Sequence, residues 1–237
     1  MGSLIPARPS AVISGLIGLL ALVLAVGLWL HWRDRPDEVG APPPPQGTAT
    51  YDDARAELAD LPVKGWDRLT DFSRYRFGEP WSDDVTVEFG HNGCNTRDDI
   101  LRRDLTTLVV RPGTCYAQSG VLIDPYTGES IAFARGPQTS EAVQIDHVVS
   151  LSDAWYKGAR DWDDQRRRDF ANDPRNLLAV SAKANFDKAF RDANAWLPPN
   201  PAFRCQFVAR QVEVKAAYGL WVSANEKRSM ATVLDRC

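Results

Sequence analysis

Hydrophobic and polar positions divide this chain into regimes. Residues 11–30 (AVISGLIGLLALVLAVGLWL) are apolar, with no charge and no proline. Twenty such residues suffice for one helix across about 30 Å of hydrocarbon. The run exceeds the ~7–15 residues of a signal-peptide core, and no small-x-small cleavage site directly follows, which favours an uncleaved signal anchor over a cleaved signal peptide. Residues 31–50 lose the pattern, and four consecutive prolines there predict an extended spacer. Residues 52–63 (DDARAELADLPV) predict a short amphipathic helix with Leu58 and Leu61 inward, ended at Pro62. Thr96 or Asn95 can cap a helix from Arg97 onward. Segments 107–110, 120–124 and 130–134 have strand composition, with a turn at Pro125-Tyr126-Thr127-Gly128. Two further apolar runs, Val143–Ile145 and Leu177–Val180, predict strands separated by a long excursion, the second followed by a helical stretch. Residues 205–217 and 222–236 predict closing helices, the latter capped by Ser223, with Phe207, Val208, Val212 and Leu220 as core.

This gives a tail at 1–10, a transmembrane segment at 11–30, a linker at 31–50 and one α+β domain at 51–237. The 237 residues leave enough chain for one full core, and 44% hydrophobic content with eight Trp is that of a folded domain. The net charge of -3 and pI near 5.7 lack the basic footprint of a tight, non-specific duplex binder. They do not count against a metal-dependent nuclease, whose cation supplies local positive charge. Cys94, Cys115, Cys205 and Cys237 are far apart with no C-x-x-C pair, which argues against zinc. Outside the cytoplasm they would form two disulfides, and of the three pairings Cys94–Cys115 with Cys205–Cys237 closes local loops. Arg33 and Arg35 follow the apolar run and only Arg8 precedes it, which alone would place the domain in the cytoplasm. The spaced cysteines point outside and weigh more. The expected location is therefore a single-pass, extracytoplasmic domain, secreted if residues 11–30 are cleaved.

Chemistry concentrates in residues 141–199. Asp146-His147 ends one apolar run, Asn176 precedes the next, Asn185 comes nine residues later and Lys188 three after that. His147 suits proton abstraction from water, because neutral imidazole accepts a proton near pH 7. Asp146 should point to the opposite side of the strand, although irregular backbone at a strand end could turn both residues toward one cleft. Lys188 lies one helical turn beyond Asn185, on the same face.

The segment resembles the HNH (ββα-metal) endonucleases, in the form whose last His is Asn, and more closely the HNH proteins related to the C-terminal domain of GmrSD-type restriction enzymes. The resemblance is carried by Asp146 to Leu151, Ala154-Trp155, Gly158-Ala159, Trp162, Arg168, Phe170 to Asp173, Asn176-Leu177, Asn185, Lys188 and Trp196 to Pro199, and extends more weakly from about Tyr75 to Cys237. It implies an HNH-type core at 141–199, an N-terminal α/β platform lining one cleft wall, and a closing C-terminal helical pair. It also implies His147 as general base, Asp146 and Asn185 as ligands of one Mg²⁺ or Mn²⁺, and Asn176 as a residue that bonds backbone across the loop and orients the His. Lys188 would contact the phosphate or the developing charge. Hard ions of this kind favour oxygen ligands and keep their waters. The departures are Lys188-Ala189-Phe190, where the family often has Lys-Gly-Asp, and Ser150, where it often has Pro; they affect the shape of the metal pocket.

The expectation is a monomeric metal-dependent endonuclease acting on DNA, and on RNA as a further substrate, tethered to a membrane through its N-terminal helix. The rival is a non-catalytic HNH-fold module binding a cell-envelope partner, which the acidic pI and the altered Lys188-Ala189-Phe190 segment support. Hydrolysis of another phosphodiester is a third reading, since nothing here reads a base sequence. Arg166-Arg167-Arg168, among Asp161, Asp163, Asp164 and Asp169, is expected to be a salt-bridged helix face rather than a DNA contact. His91 is expected in a surface loop, and Trp155, Trp162 and Trp196 in packing.

Overall fold

The computed structural model describes residues 51–65, 71–137 and 140–237. The expected membrane segment and linker lie outside the described residues. Among the described residues, no helix is long and apolar enough to cross a membrane.

The chain opens with α1 (Tyr51–Asp60), which stops before Leu61-Pro62, because the residue before proline is biased away from helical backbone. Then come α2 (Thr96–Asp104), β1 (Leu105–Val110), β2 (Ala117–Ile123) and β3 (Ser130–Ala134). Asn95 caps α2 by accepting the Asp98 N–H, and the three strands form an antiparallel sheet in the order β1-β2-β3. Next are β4 (Val143–His147), α3 (Leu151–Tyr156), α4 (Asp164–Asn172), β5 (Leu177–Ser181) and α5 (Ala182–Lys188). β4 and β5 pair antiparallel, in register from Val143↔Ser181 to His147↔Leu177. α6 (Arg204–Ala217) and α7 (Ala224–Leu234) close the fold, with Ser223 and Glu226 forming a capping box on α7.

One face of the three-stranded sheet buries Leu105, Ala117, Leu122 and Phe133 against Ile100 and Leu101 of α2 and against Val143, Ile145, Leu177 and Ala179 of the strand pair. The N-terminal half therefore backs the β4–β5 pair, as expected. Arg103 and Asp104, at the end of α2, fix this docking: Arg103 donates to the Pro174 and Leu177 carbonyls, and Asp104 accepts the Ala179 N–H at 2.8 Å. A second cluster joins α1 to α6 and α7 through Leu58, Val212, Met230 and Leu234, and Trp196 packs against it. A third holds Trp155, Phe170 and Tyr218, with Trp162 against it. All three tryptophans thus serve packing.

The excursion between the strands holds two helices, α3 and α4, and α4 carries Arg166-Arg167-Arg168, where a helix face was expected. One expectation needs correction: the three arginines do not form a salt-bridged face. Arg167 is buried, pairing with Asp164 but also donating to the carbonyls of Arg76, Ala159, Arg160 and Trp162. Arg166 donates to the Tyr218 carbonyl and Arg168 to Gln165. The principal partners of Arg166 and Arg167 are backbone carbonyls, which the sequence does not display, and that of Arg168 is a side-chain amide.

Both expected disulfides, Cys94–Cys115 and Cys205–Cys237, are formed, with sequence separations of 21 and 32. Cys205–Cys237 ties the start of α6 to the chain end beyond α7. Loop-closure entropy predicts that replacing both of its cysteines by serine lowers unfolding free energy by about 3–4 kcal/mol. Chemical unfolding of the oxidised protein measures this, and a midpoint that does not move would remove the disulfide from the stability of the helical end.

Candidate active site

β4 alternates. Val143 and Ile145 face the α2 side, while Gln144 and Asp146 face the other. α5 begins directly after the strand pair, capped by Ser181, which accepts the Ala184 N–H, and so lies across the Gln144/Asp146 face. Asn185 Nδ2 donates to Gln144 Oε1 at 2.7 Å. One turn on, Lys188 Nζ donates to Asp146 Oδ1 at 3.0 Å and to the His147 carbonyl at 2.8 Å, and lies 3.0 Å from Asp146 Oδ2. The Tyr126 hydroxyl donates to Asp146 Oδ2 at 2.6 Å. Burial pushes the Asp146 carboxyl up, opposed by the Lys188 charge and the Tyr126 hydrogen bond. Burial, then the Asp146 charge, drives the Tyr126 hydroxyl well above its ordinary range.

His147 occupies the opposite face. Its Nε2 lies 2.9 Å from the Ala171 carbonyl, which can only accept, so Nε2 carries the hydrogen. Burial, with the Arg74 charge adding to it, brings the imidazole down to about 3. The ring is therefore neutral near pH 7, with its lone pair on Nδ1. Trp81 stacks on it at 5.8 Å between centroids and 11° between planes. The Trp81 carbonyl in turn accepts the Thr96 N–H at the start of α2.

Asn176 is fully buried. Its carbonyl oxygen accepts the Val149 N–H at 2.8 Å, its amide donates to the Val149 carbonyl at 3.2 Å, and its own backbone carbonyl accepts the Val148 N–H at 2.8 Å. The two residues after His147 are thus stitched to the start of β5.

The structure brings Asp146, Lys188 and Tyr126 into one cluster, with the Gln144–Asn185 pair beside it. It does not turn the His147 ring and the Asp146 carboxylate to one side, because ladder pairing continues through His147↔Leu177 and preserves the alternation. Lys188 also differs from expectation. It has no exposed surface, and its ammonium is spent on Asp146 and on the His147 carbonyl rather than presented to a phosphate. Sequence reasoning missed Tyr126, read only as a turn residue, and the roles of Trp81 and Gln144. Gln144 was visible as the residue two before Asp146, on its face. Tyr126 had no such signal. His91 is exposed, as expected.

For a divalent cation the donors are hard oxygens: the Asp146 carboxylate, whose partners are Lys188 and Tyr126, and the side-chain Oδ1 of Asn185, which accepts no hydrogen bond among the described residues. Hard oxygens of this kind suit Mg²⁺ or Mn²⁺ that keeps most of its waters, although both Asp146 oxygens are in contact with the Lys188 ammonium. Among the described residues, no group of three His, Cys, Asp or Glu could hold a metal ion.

Comparison with known proteins follows the same segment. The family model of GmrSD restriction endonucleases, C-terminal domain, matches residues 95–233. That span contains Tyr126, Asp146, His147, Asn176, Asn185 and Lys188, while Trp81 precedes it. The chain is 34% identical over 197 residues to an "Uncharacterized secreted protein" of Arthroderma benhamiae, an alignment covering 82% of this chain and 90% of that protein. No solved structure matches.

The buried neutral imidazole makes stability pH-dependent. Unfolded, His147 titrates near ~6.5; folded, at about 3. Between these values the unfolded chain binds a proton that the folded one refuses, so this contribution is complete above about pH 6.5 and is lost as pH falls toward about 3. Between pH 7.5 and 5 the loss should be about 2 kcal/mol and absent in His147→Gln, whose amide can still donate to Ala171. Unfolding curves at the two pH values check this, and equal acid losses in both proteins would refute the buried neutral ring.

Proposed function

The chain belongs to the family of GmrSD restriction endonuclease C-terminal domains, and from that premise we propose that it is a metal-dependent endonuclease hydrolysing phosphodiester bonds in DNA, with RNA as a further substrate. The observation that carries this reading is the hydrogen bond from His147 Nε2 to the Ala171 carbonyl. It fixes the tautomer whose Nδ1 can take a proton; burial, which brings the ring down to about 3, keeps it neutral but weakens it as a base, so the proposed step relies on the negative charge of a bound phosphate to raise its basicity.

In this mechanism His147 Nδ1 removes the proton from the attacking water. Asn176 holds the Val148-Val149 segment to β5 and so sets the position of the imidazole, while Trp81 restrains the ring plane. Asp146 and Asn185 are the residues that would hold one Mg²⁺ or Mn²⁺, which requires the Asp146 carboxylate to part from Lys188 and the strand end to open, so that the cation and His147 Nδ1 meet one phosphate. When bound, the cation supplies positive charge that neutralises the phosphate and assists the leaving oxygen. Lys188 and Tyr126 orient the Asp146 carboxylate, and Lys188 also anchors the backbone at His147. They are positioning residues.

The two disulfides and the secreted relative support an exported domain. Residues 11–30 would tether it to the membrane as a single-pass anchor, and the domain would act as a monomer.

One observation favours a second reading. The carboxylate assigned to the cation is already paired with a buried ammonium, as in a module that keeps the fold for binding a cell-envelope partner and has lost the chemistry.

Plasmid nicking by the oxidised protein, with Mg²⁺ or Mn²⁺ against EDTA and beside His147→Ala, separates the two. The nuclease reading expects metal-dependent nicking, reduced about 10²–10⁴-fold in the variant, the range of general acid–base contributions. A variant that nicks at the parent rate would sink the assignment of His147, and a folded parent that never nicks would favour the module.

A further inference from the structure

A cavity of about 890 Å³ lies between the 193–197 segment, the start of α6 and one face of α7. None of Asp146, His147, Asn176, Asn185 or Lys188 lines it. One wall is Trp196, whose ring packs edge-on against Tyr126 at 5.1 Å between centroids. Because Tyr126 donates to Asp146, only two side chains separate this wall from the candidate site.

The lining is basic. It includes Arg204, Arg228 and Arg236, with Ser229 and Thr232 between the last two, and no Asp or Glu. In a chain of net charge -3 this is a local inversion of sign. Arg228, Ser229 and Thr232 lie on one face of α7, and Arg236 continues the row just past its end. Arg204 is steadied by donation from Nε to the Pro198 carbonyl at 2.8 Å. Among the described residues, none of the three guanidinium groups is in an ion pair with a carboxylate. Arg228 and Arg236 are both exposed.

Guanidinium forks match the geometry of phosphate oxygens and remain charged at every working pH. The size of the cavity and the spacing of the arginines decide which anion. At the helical rise, eight residues set the backbones of Arg228 and Arg236 roughly 12 Å apart, a row along the groove rather than one clustered point. The cavity also has the volume of a pocket for a large ligand, not for one small ion. Repeated phosphates on a flexible chain satisfy both conditions. We propose that this groove is a second substrate-binding site, which takes the phosphate backbone of a nucleic-acid strand through Arg204, Arg228 and Arg236. The proposal rests on the nuclease reading for the identity of its anion.

The test uses the full chain in EDTA, so that cleavage is held off, with a fluorescently labelled 20-nucleotide single strand followed by anisotropy across a salt series. Arg228→Gln with Arg236→Gln should weaken binding at least 10-fold. It should also make the dependence of log affinity on log salt shallower by about 1.4, the share of two phosphate contacts on a single strand. Circular dichroism should be unchanged, and the charge-matched pair Lys64→Gln with Arg111→Gln should bind like the parent. Parent-like binding by the Arg228/Arg236 variant overturns the proposal, as does displacement of the strand by inorganic phosphate at equal phosphate-group concentration. Hydrolysis of bis(p-nitrophenyl) phosphate in Mg²⁺ or Mn²⁺ reports the chemistry separately. It should survive the groove substitutions, and its absence in the parent would count against the nuclease reading while leaving the strand-binding result to stand by itself.

Discussion

Three lysine ammonium groups, those of Lys157, Lys188 and Lys215, lie essentially out of reach of solvent, and the arrangement of the C-terminal half follows from the need to answer them. A buried charge left alone costs several kcal/mol, so each position is tolerable only where carboxylates converge on it. Lys157, just past α3, contacts Asp153 at 2.5 Å, Glu226 at 2.7 Å and Asp192 at 2.9 Å. Lys215 of α6 contacts Asp153 at 2.8 Å and Glu226 at 2.9 Å. Burial works against the charge on Lys157, but Asp153, Glu226 and Asp192 together outweigh it and raise its pKa. Burial likewise works against the Asp153 carboxylate, and Lys215 and Lys157 outweigh that and lower it. Glu226 is also the capping-box residue of α7, so one carboxylate both starts a helix and locks it to α3 and α6. Sliding any of these helices would strand a charge.

The same rule shapes the strand pair, and there it bears on chemistry. Lys188 is the third buried ammonium, and its carboxylate is Asp146. That pair fixes α5 to β4 more firmly than the helix could manage through its apolar surface, since Phe186 and Phe190 are both largely exposed. His147, one residue along the strand, meets burial differently, by shedding its charge and donating its single hydrogen to a backbone carbonyl. Two adjacent ionisable residues thus end in opposite states on opposite faces of one strand: Asp146 held by an ammonium and a phenol, His147 left neutral with a free lone pair.

Features that depend on local pattern were legible in the sequence. The strands around 107–110, 120–124, 130–134, 143–145 and 177–180 all exist, extended by polar residues such as Gln118 and Ser119 at the start of β2. Asn95 and Ser223 cap where side-chain chemistry says they should. The disulfide pairing followed from loop closure alone. Features that depend on a distant partner were not legible. Lys188 reads as a lysine free to contact a phosphate until the fold brings Asp146, 42 residues away, against it. Arg167 reads as part of a charged helix face because its partners are mostly carbonyls, and every residue carries one of those. Tyr126 lies in a turn, and only the packing of Trp196 and Phe207 around its ring shows that the turn is buried and aimed at Asp146.

An acidic chain that acts on a polyanion cannot depend on long-range attraction. At physiological ionic strength, charges beyond about 8–10 Å are screened, so a net charge of -3 neither recruits a strand from a distance nor forbids a close contact. Binding must then come from positive charge placed within that radius of the phosphates. Three of the six lysines cannot supply it, being buried in ion pairs. On the proposed reading, the arginine-lined groove behind Trp196 and a cation at Asp146 and Asn185 would be two places where the chain meets a phosphate backbone. The groove holds no carboxylate, whereas the candidate cation site is built around one. On the proposed reading, the groove would hold the strand by permanent guanidinium charge, and the cation site would supply exchangeable charge for the chemistry.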